Sequence, residues 1–166
     1  NELKRRQGGY GRGGRMKIEK DRVRFLSGVR HGKTLGSPVA MMIENRDWPN
    51  WEEIMSAQQI SAEAAQKRTV TRPRPGHTDL AGSLKFNQLD ARNILERSSA
   101  RETTARVASG ALAKIFLRRF GIEILSHTTA IGAVSVPEDF AVTWDQLESL
   151  RTDEVVHCAL ADVAEQ

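Results

Sequence analysis

From Met16 onward apolar residues alternate with charges: Met16 and Ile18 stand on one side of "EKD", Val23 and Phe25 on the other. A period of two is the signature of half-buried strands, so a β-hairpin is predicted here. "GVRHGKTLGSP" then interrupts the pattern with glycines, and "VAMMIEN", residues 39–45, reads as a buried strand between Pro38 and Asn45. A short helix is predicted over 51–56, with "AQQISAEAAQKRTVT" as a polar connector after it. "HTDLAGSLKF" places Leu80, Ala81 and Leu84 on one side of a second short helix.

The clearest periodic segment is 100–120, where Ala105, Ala108, Leu112 and Ile115 recur at helical spacing and Gly121 follows as a C-terminal cap. Its start is marked by Ser99 and, three residues later, Glu102, the spacing of a capping box. Beyond Gly121, "IEILSHTTAIGAV" returns to strand-like alternation through Ile122, Ile124 and Ile131. Strands and helices thus alternate along the chain, which predicts an α/β (α+β) fold with a sheet packed on helices.

A chain of 166 residues builds one ordinary core, so a single domain over 1–166 is expected. No apolar run approaches the roughly 20 residues of a membrane-spanning helix. Cys158 stands alone, which excludes an intramolecular disulfide and offers no metal-ligand spacing; a reducing cytoplasm is the expected location and no metal is expected. The opening "NELKRRQGGYGRGG", without an initiator methionine, reads as part of a longer protein.

Charge sharpens the picture because it is unevenly spread. Residues 1–33 hold eleven Lys and Arg against three acids and residues 67–106 nine against four, whereas residues 138–166 hold one against eight. Basic side chains gathered on one surface repel unless an anion offsets them, so a polyanion or a phosphorylated small molecule is implied. "RPRPGHTDL", residues 72–80, crowds Arg72, Arg74, His77 and Asp79 around a Pro-Gly kink with no apolar periodicity. It is either a solvated loop or an anion site with a proton-transfer group beside it. "RSSARET" sets Arg97, Ser98, Ser99 and Arg101 at the positive end of the long helix, where Ser99 serves as a cap only or joins an anion site. "RRQGGYGRGGR" is a backbone-approach loop in which Arg5, Arg6, Arg12 and Arg15 grip an anion, or a nucleic-acid tail.

Four of these stretches, "RRQGGYGRGGRMKIEKD", "LSGVRHGKTLGSPVAMMIENRDW", "TRPRPGHTDLAGSLKF" and "ERSSARETTARVASGALA", together resemble the chorismate synthase family, in the family's order and spacing from about Leu3 to Val134. The resemblance implies a β-α-β sandwich assembled as a homotetramer. It implies a lyase that removes phosphate and a ring hydrogen from 5-enolpyruvylshikimate 3-phosphate by anti-1,4-elimination, giving chorismate at the last step of the shikimate pathway, with reduced FMN required. By the same resemblance Arg6, Arg12, Arg74 and Arg101 match arginines of the substrate site. Arg6 and Arg12 also match positions given to NADPH in members that reduce their own flavin. Arg97, Ser98 and Ser99 match the flavin-contacting stretch, and His77 a histidine with a proton-transfer role. Asp79 either orients His77 or ends the loop. His31 matches the family pattern and is expected to serve the loop's structure, while His127 and His157 are read as structural or exposed.

The family pattern also includes an earlier Gly-Glu-Ser-His-Gly-like motif and later flavin-binding segments that this sequence does not contain. After Val134 the likeness is loose, with His157-Cys158 where an Arg-Cys pair is common. The chain is therefore read as a partial domain that is inactive by itself. The alternative is a basic nucleic-acid-binding module. Against it, only Tyr10 among the aromatics lies in a glycine-rich basic run, and single-strand binders need several on one platform.

Overall fold

The computed structural model of the chain describes residues 2–8, 20–99, 101–152 and 155–166, and of 96, 97 and 152 the backbone only. They gather into two compact units, one of residues 17–106 and one that joins 1–16 to 107–166. The fold is mixed α/β, its described strands forming three two-stranded antiparallel sheets.

In the 17–106 unit, β1 (Val23–Ser27) pairs with β4 (Ala40–Ile43) from Val23 opposite Ile43 to Ser27 opposite Ala40. The register shifts between Phe25 and Ser27, so Leu26 is the extra residue of a bulge. Immediately after it the chain must pass against Pro38, where a Cβ on Gly28 would lie 2.5 Å from the Pro38 carbonyl oxygen. Between these strands sits a tight hairpin of β2 (Val29–Arg30) and β3 (Lys33–Thr34). His31 and Gly32 occupy its two turn positions at φ 50° and 72°, the pair of positive values a type I′ turn requires. This is the structural duty expected of His31. The predicted pairing of 16–18 with 23–25 lies partly outside the described residues.

Three expectations change here. The strand over 40–43 forms, but its residues are exposed or half-buried rather than core. Residues 51–56 do not form a helix: a single 3-10 turn, Trp48–Asn50, precedes them, with Pro49 in its first turn and Asp47 accepting from Trp51 Nε1 at 2.8 Å. The polar connector contains α2 (Ala62–Gln66), started by Ser61, whose hydroxyl accepts from the Ala64 N–H at 3.2 Å.

Next come α3 (Asp79–Phe86) and α4 (Arg92–Ser98). The α3 helix forms as predicted, yet Leu84 is 75 % exposed and Leu80 also faces outward. Its inner face is Asp79, Gly82 and Ser83. The reason is close approach: a Cβ on Gly82 would come within 2.5 Å of Cγ2 of buried Ile94 on α4. Asn87 closes α3 in the left-handed region at φ 51°, with the Gln88 N–H reaching the Ser83 carbonyl at 2.9 Å.

The long helix is α5 (Glu102–Arg118), which begins in the 17–106 unit and continues in the other. Its end is as predicted: Gly121 at φ 71° donates to the Arg118 carbonyl and Ile122 to the Leu117 carbonyl, both at 3.2 Å, the paired bonds of a Schellman motif. Its buried positions are Thr104 and Ala108, while Ala105 and Ile115 are exposed, so the inner face is rotated from the predicted one.

The other unit holds α1 (Glu2–Gln7), the rest of α5, and a hairpin of β5 (Ala130–Ile131) and β6 (Val134–Ser135) turned at Gly132. It ends in α6 (Trp144–Ser149) and α7 (Ala161–Ala164). Ile122 and Ile124 lie in irregular chain rather than strand, whereas Ile131 pairs as expected. A full capping box occurs at α6, where Thr143 and Gln146 bond each other's backbone N–H at 3.3 and 2.9 Å. Leu3, Ala108, Leu150 and Cys158 form its core. No helix among the described residues is long and apolar enough to cross a membrane.

Candidate active site

Arg74, Pro75, Gly76 and His77 make a β-turn, the His77 N–H donating to the Arg74 carbonyl at 3.3 Å. Proline presets the second position, and Gly76 at φ 70° supplies the positive angle that a type II turn demands at the third. Two residues later α3 begins with Asp79. The turn thereby folds Arg74 and His77 back over the first turn of the helix.

Asp79 is 0 % exposed, and its carboxylate is fully occupied. Oδ2 accepts from the Arg74 backbone N–H and from Arg74 Nε, each at 2.9 Å. Oδ1 accepts from Arg74 Nη2 at 3.2 Å and faces His77 Nδ1 at 2.5 Å. A buried carboxylate with such partners is held ionised. The Arg74 guanidinium, followed by its backbone N–H and by His77, places the Asp79 carboxyl well below the usual carboxylate range against the opposing effect of burial. Asp79 in turn raises the pKa of Arg74.

Because a carboxylate only accepts, the Nδ1 atom facing it carries the proton, and a neutral His77 then presents its lone pair at Nε2. Arg74 Nη2 lies 3.1 Å from both ring nitrogens. An in-plane approach equidistant from both would collide with Cε1, so the guanidinium lies across the ring face. His77 is partly exposed, and Arg74 keeps 53 % of its side chain in solvent. The edge of Arg74 that carries Nη1 is not used by Asp79.

A second cluster occupies the junction of α4 and α5. Ser99 leaves α4 in an extended conformation, its hydroxyl accepting from the Arg101 N–H at 3.1 Å and its carbonyl from the Glu102 N–H at 2.9 Å. The predicted capping box is therefore not formed. Glu102 instead pairs with Arg106 one turn on, at 2.7 and 2.9 Å, which lowers its pKa. Ser98 and Ser99 are both half-buried. Arg101 is committed elsewhere: Nη1 pairs with buried Asp21 and Nη2 donates to the Glu44 carbonyl. Asp21 was not singled out from the sequence, since nothing local links it to a residue eighty positions away.

Arg74, His77 and Asp79 are thus brought together, and Ser98, Ser99 and Arg101 adjoin one another. Arg6 stands on α1 in the other unit. Arg12 and the side chain of Arg97 lie outside the described residues, as does most of the glycine-arginine segment.

A fixed imidazole beside a half-exposed guanidinium is the arrangement expected of an enzyme that moves a proton on an anionic substrate. A model of the chorismate synthase family matches residues 1–166. The chain belongs to the chorismate synthase family, a family of lyases. It is 53 % identical over 167 residues to the chorismate synthase of Shouchella clausii, covering 99 % of this chain and 43 % of that protein. With the chorismate synthase of Solibacter usitatus the identity is 54 % over 163 residues, covering 97 % and 41 %. A crystal structure of chorismate synthase superposes with a TM-score of 0.67 at 38 % identity, over 99 % of this chain and 40 % of that one. The chain spans about two-fifths of the length of the curated relatives it matches.

Proposed function

We propose that these residues form part of a chorismate synthase active site acting on 5-enolpyruvylshikimate 3-phosphate. In the reaction phosphate departs with the C–O bonding pair and a proton leaves a ring carbon; the former C–H pair forms a double bond to the adjacent ring carbon while the ring double bond already present shifts to the carbon that phosphate leaves. The observation that carries this reading is the buried Asp79 bonded to His77 and Arg74, in a chain matched by the family along its whole length.

Asp79 fixes the imidazole by its Nδ1–H, so Nε2 is the atom that holds or moves a proton. Arg74 grips Asp79 with Nε and Nη2 and turns its remaining edge to an anionic group of the substrate. Arg101, shared with Asp21, contributes positive charge at the same substrate; Arg6 and Arg12 are given to the substrate by the family likeness alone.

The α4–α5 junction suits the family's flavin. Two half-buried hydroxyls, Ser98 and Ser99, stand at the positive end of a 17-residue helix, a donor set matched to an anionic ring edge. Ser98, Ser99 and Arg97 would hold it. Reduced FMN, when bound there, would supply electron density that is returned at the end of the cycle, with no net redox change. By the same likeness Arg6 and Arg12 are also given to NADPH where the protein reduces its own flavin. The intact protein is proposed to work as a cytoplasmic homotetramer, and the segment alone to be inactive.

The test is His77→Ala in the intact protein, assayed anaerobically with reduced FMN. Turnover should fall roughly 10- to 10⁴-fold with KM little changed, as when a positioned acid or base is lost. Normal turnover from about pH 6 to 9 would overturn the assignment.

A further inference from the structure

Resting on the reading of His77 and Arg74 just given, we infer that Asp90 is a positioning residue: it fastens the start of the 71–78 loop to α4, the helix on which the loop's other end is also seated. Asp90 Oδ1 accepts from the Val70 N–H at 2.9 Å and from the Arg92 N–H at 2.8 Å. The Ala91 N–H donates to the Val70 carbonyl at 2.9 Å, so both backbone groups of Val70 are held by successive residues of one helix start. Arg92 adds a second tie, its Nε and Nη2 donating to the Arg68 carbonyl at 3.3 and 3.2 Å while its guanidinium lies 4.8 Å from the centre of the Trp51 ring.

At its far end the loop enters α3, and Gly82 brings that helix against Ile94 of α4. Asn93 Nδ2 also donates to Gln88 Oε1, just past the end of α3, at 2.7 Å. The loop bearing Arg74 and His77 is therefore closed on a single helix at both ends, and the same helix ends in Ser98. Pinning both ends removes most of the conformational freedom of the eight residues between them. That restriction helps His77 stay in register with Asp79, a positional tolerance of well under an ångström for efficient proton transfer. Asp90 touches neither His77 nor Arg74; it acts through the backbone at Val70.

The experiment is a double-mutant cycle in the intact protein between Asp90→Ala and His77→Ala, with Asp90→Asn as the conservative variant and 5-enolpyruvylshikimate 3-phosphate as substrate. Asp90→Ala should lower kcat on the order of 10-fold with KM changed less. Asp90→Asn should restore most of it, because its side-chain oxygen still accepts both N–H groups. In the His77→Ala background Asp90→Ala should add nothing to the loss in kcat, since the group it positions is gone. Multiplicative losses in the double variant, or unchanged kcat in Asp90→Ala, would overturn the role of Asp90. A His77→Ala protein that turns over normally would instead remove the reading beneath it, so the two failures are told apart.

Discussion

Two buried aspartates of the 17–106 unit each hold an arginine, with different consequences. Asp79 meets Arg74 five residues before it, across one turn, and the pair includes a histidine and opens to solvent through a half-exposed guanidinium. Asp21 meets Arg101 eighty residues later, and that arginine also holds the Glu44 carbonyl, tying the approach to β1, the exit of β4 and the start of α5 into one knot. The local pair has a side free for chemistry. The distant pair is mostly enclosed and suits architecture. Burial and ion pairing alone do not tell these two carboxylates apart; the third partner does.

The sharpest way to break this contrast is Asp79→Asn. An amide in place of the carboxylate loses the charge that fixes Arg74, and its single oxygen cannot both accept from Arg74 Nε and hold the tautomer of His77. Turnover should fall about 10²- to 10⁴-fold, measured as kcat with reduced FMN in the intact protein. A loss confined to KM would make Asp79 a binding residue only.

Asp21→Ala should act chiefly on stability. Removing one partner of a largely enclosed pair leaves Arg101 without its carboxylate, at a cost of about 3 kcal/mol, read from the denaturant midpoint at constant m-value. The folded fraction should retain more activity than Asp79→Asn. If instead turnover collapses while stability holds, the pair serves the substrate before the fold and the contrast fails.

Acid probes the local pair more gently. The Asp79 pKa is depressed in the folded protein, so its contribution to stability is fully present above the unfolded value of about 3.9 and is lost as pH falls through the lower folded one. Wild type should therefore lose stability faster than Asp79→Ala as pH drops below about 4, the two denaturation midpoints converging. Parallel curves would show that Asp79 carries no linked proton. The smallest effect is expected at Glu102→Ala, which removes an exposed pair with Arg106 one turn away. The melting temperature should move barely beyond measurement error.

These pairs also show what a sequence discloses. The type II turn, the start of α3 and the crowding of His77 and Asp79 all depend on neighbours within eight residues, and each was legible in "RPRPGHTDL". The Schellman end of α5 was legible for the same reason, a glycine at a fixed offset from the last helical turn. The partner of Arg101 was not, because only the fold brings residue 21 to residue 101. The inner faces of the helices misled. On α3 the leucines suggested one face, but close approach to Ile94 selected the face of Gly82, since two backbones meet nearer across a glycine than across any side chain. The capping box at Ser99 fitted by spacing, yet Arg106 competed for Glu102 and prevailed.

The two glycines flanking the candidate site are required for opposite reasons, and handedness exposes the difference. Gly76 has positive φ and open space where a Cβ would point, so what it resists is only the chirality of ordinary residues. A mirror-image alanine introduced there by chemical synthesis would favour the angle the turn already has and restrict the unfolded chain, stiffening the turn that carries His77. Gly82 has ordinary helical backbone and no such preference to satisfy; what excludes a side chain is Ile94. The turn therefore depends on a dihedral angle and the helix contact on a volume, and a reagent that distinguishes left from right can alter the first without touching the second.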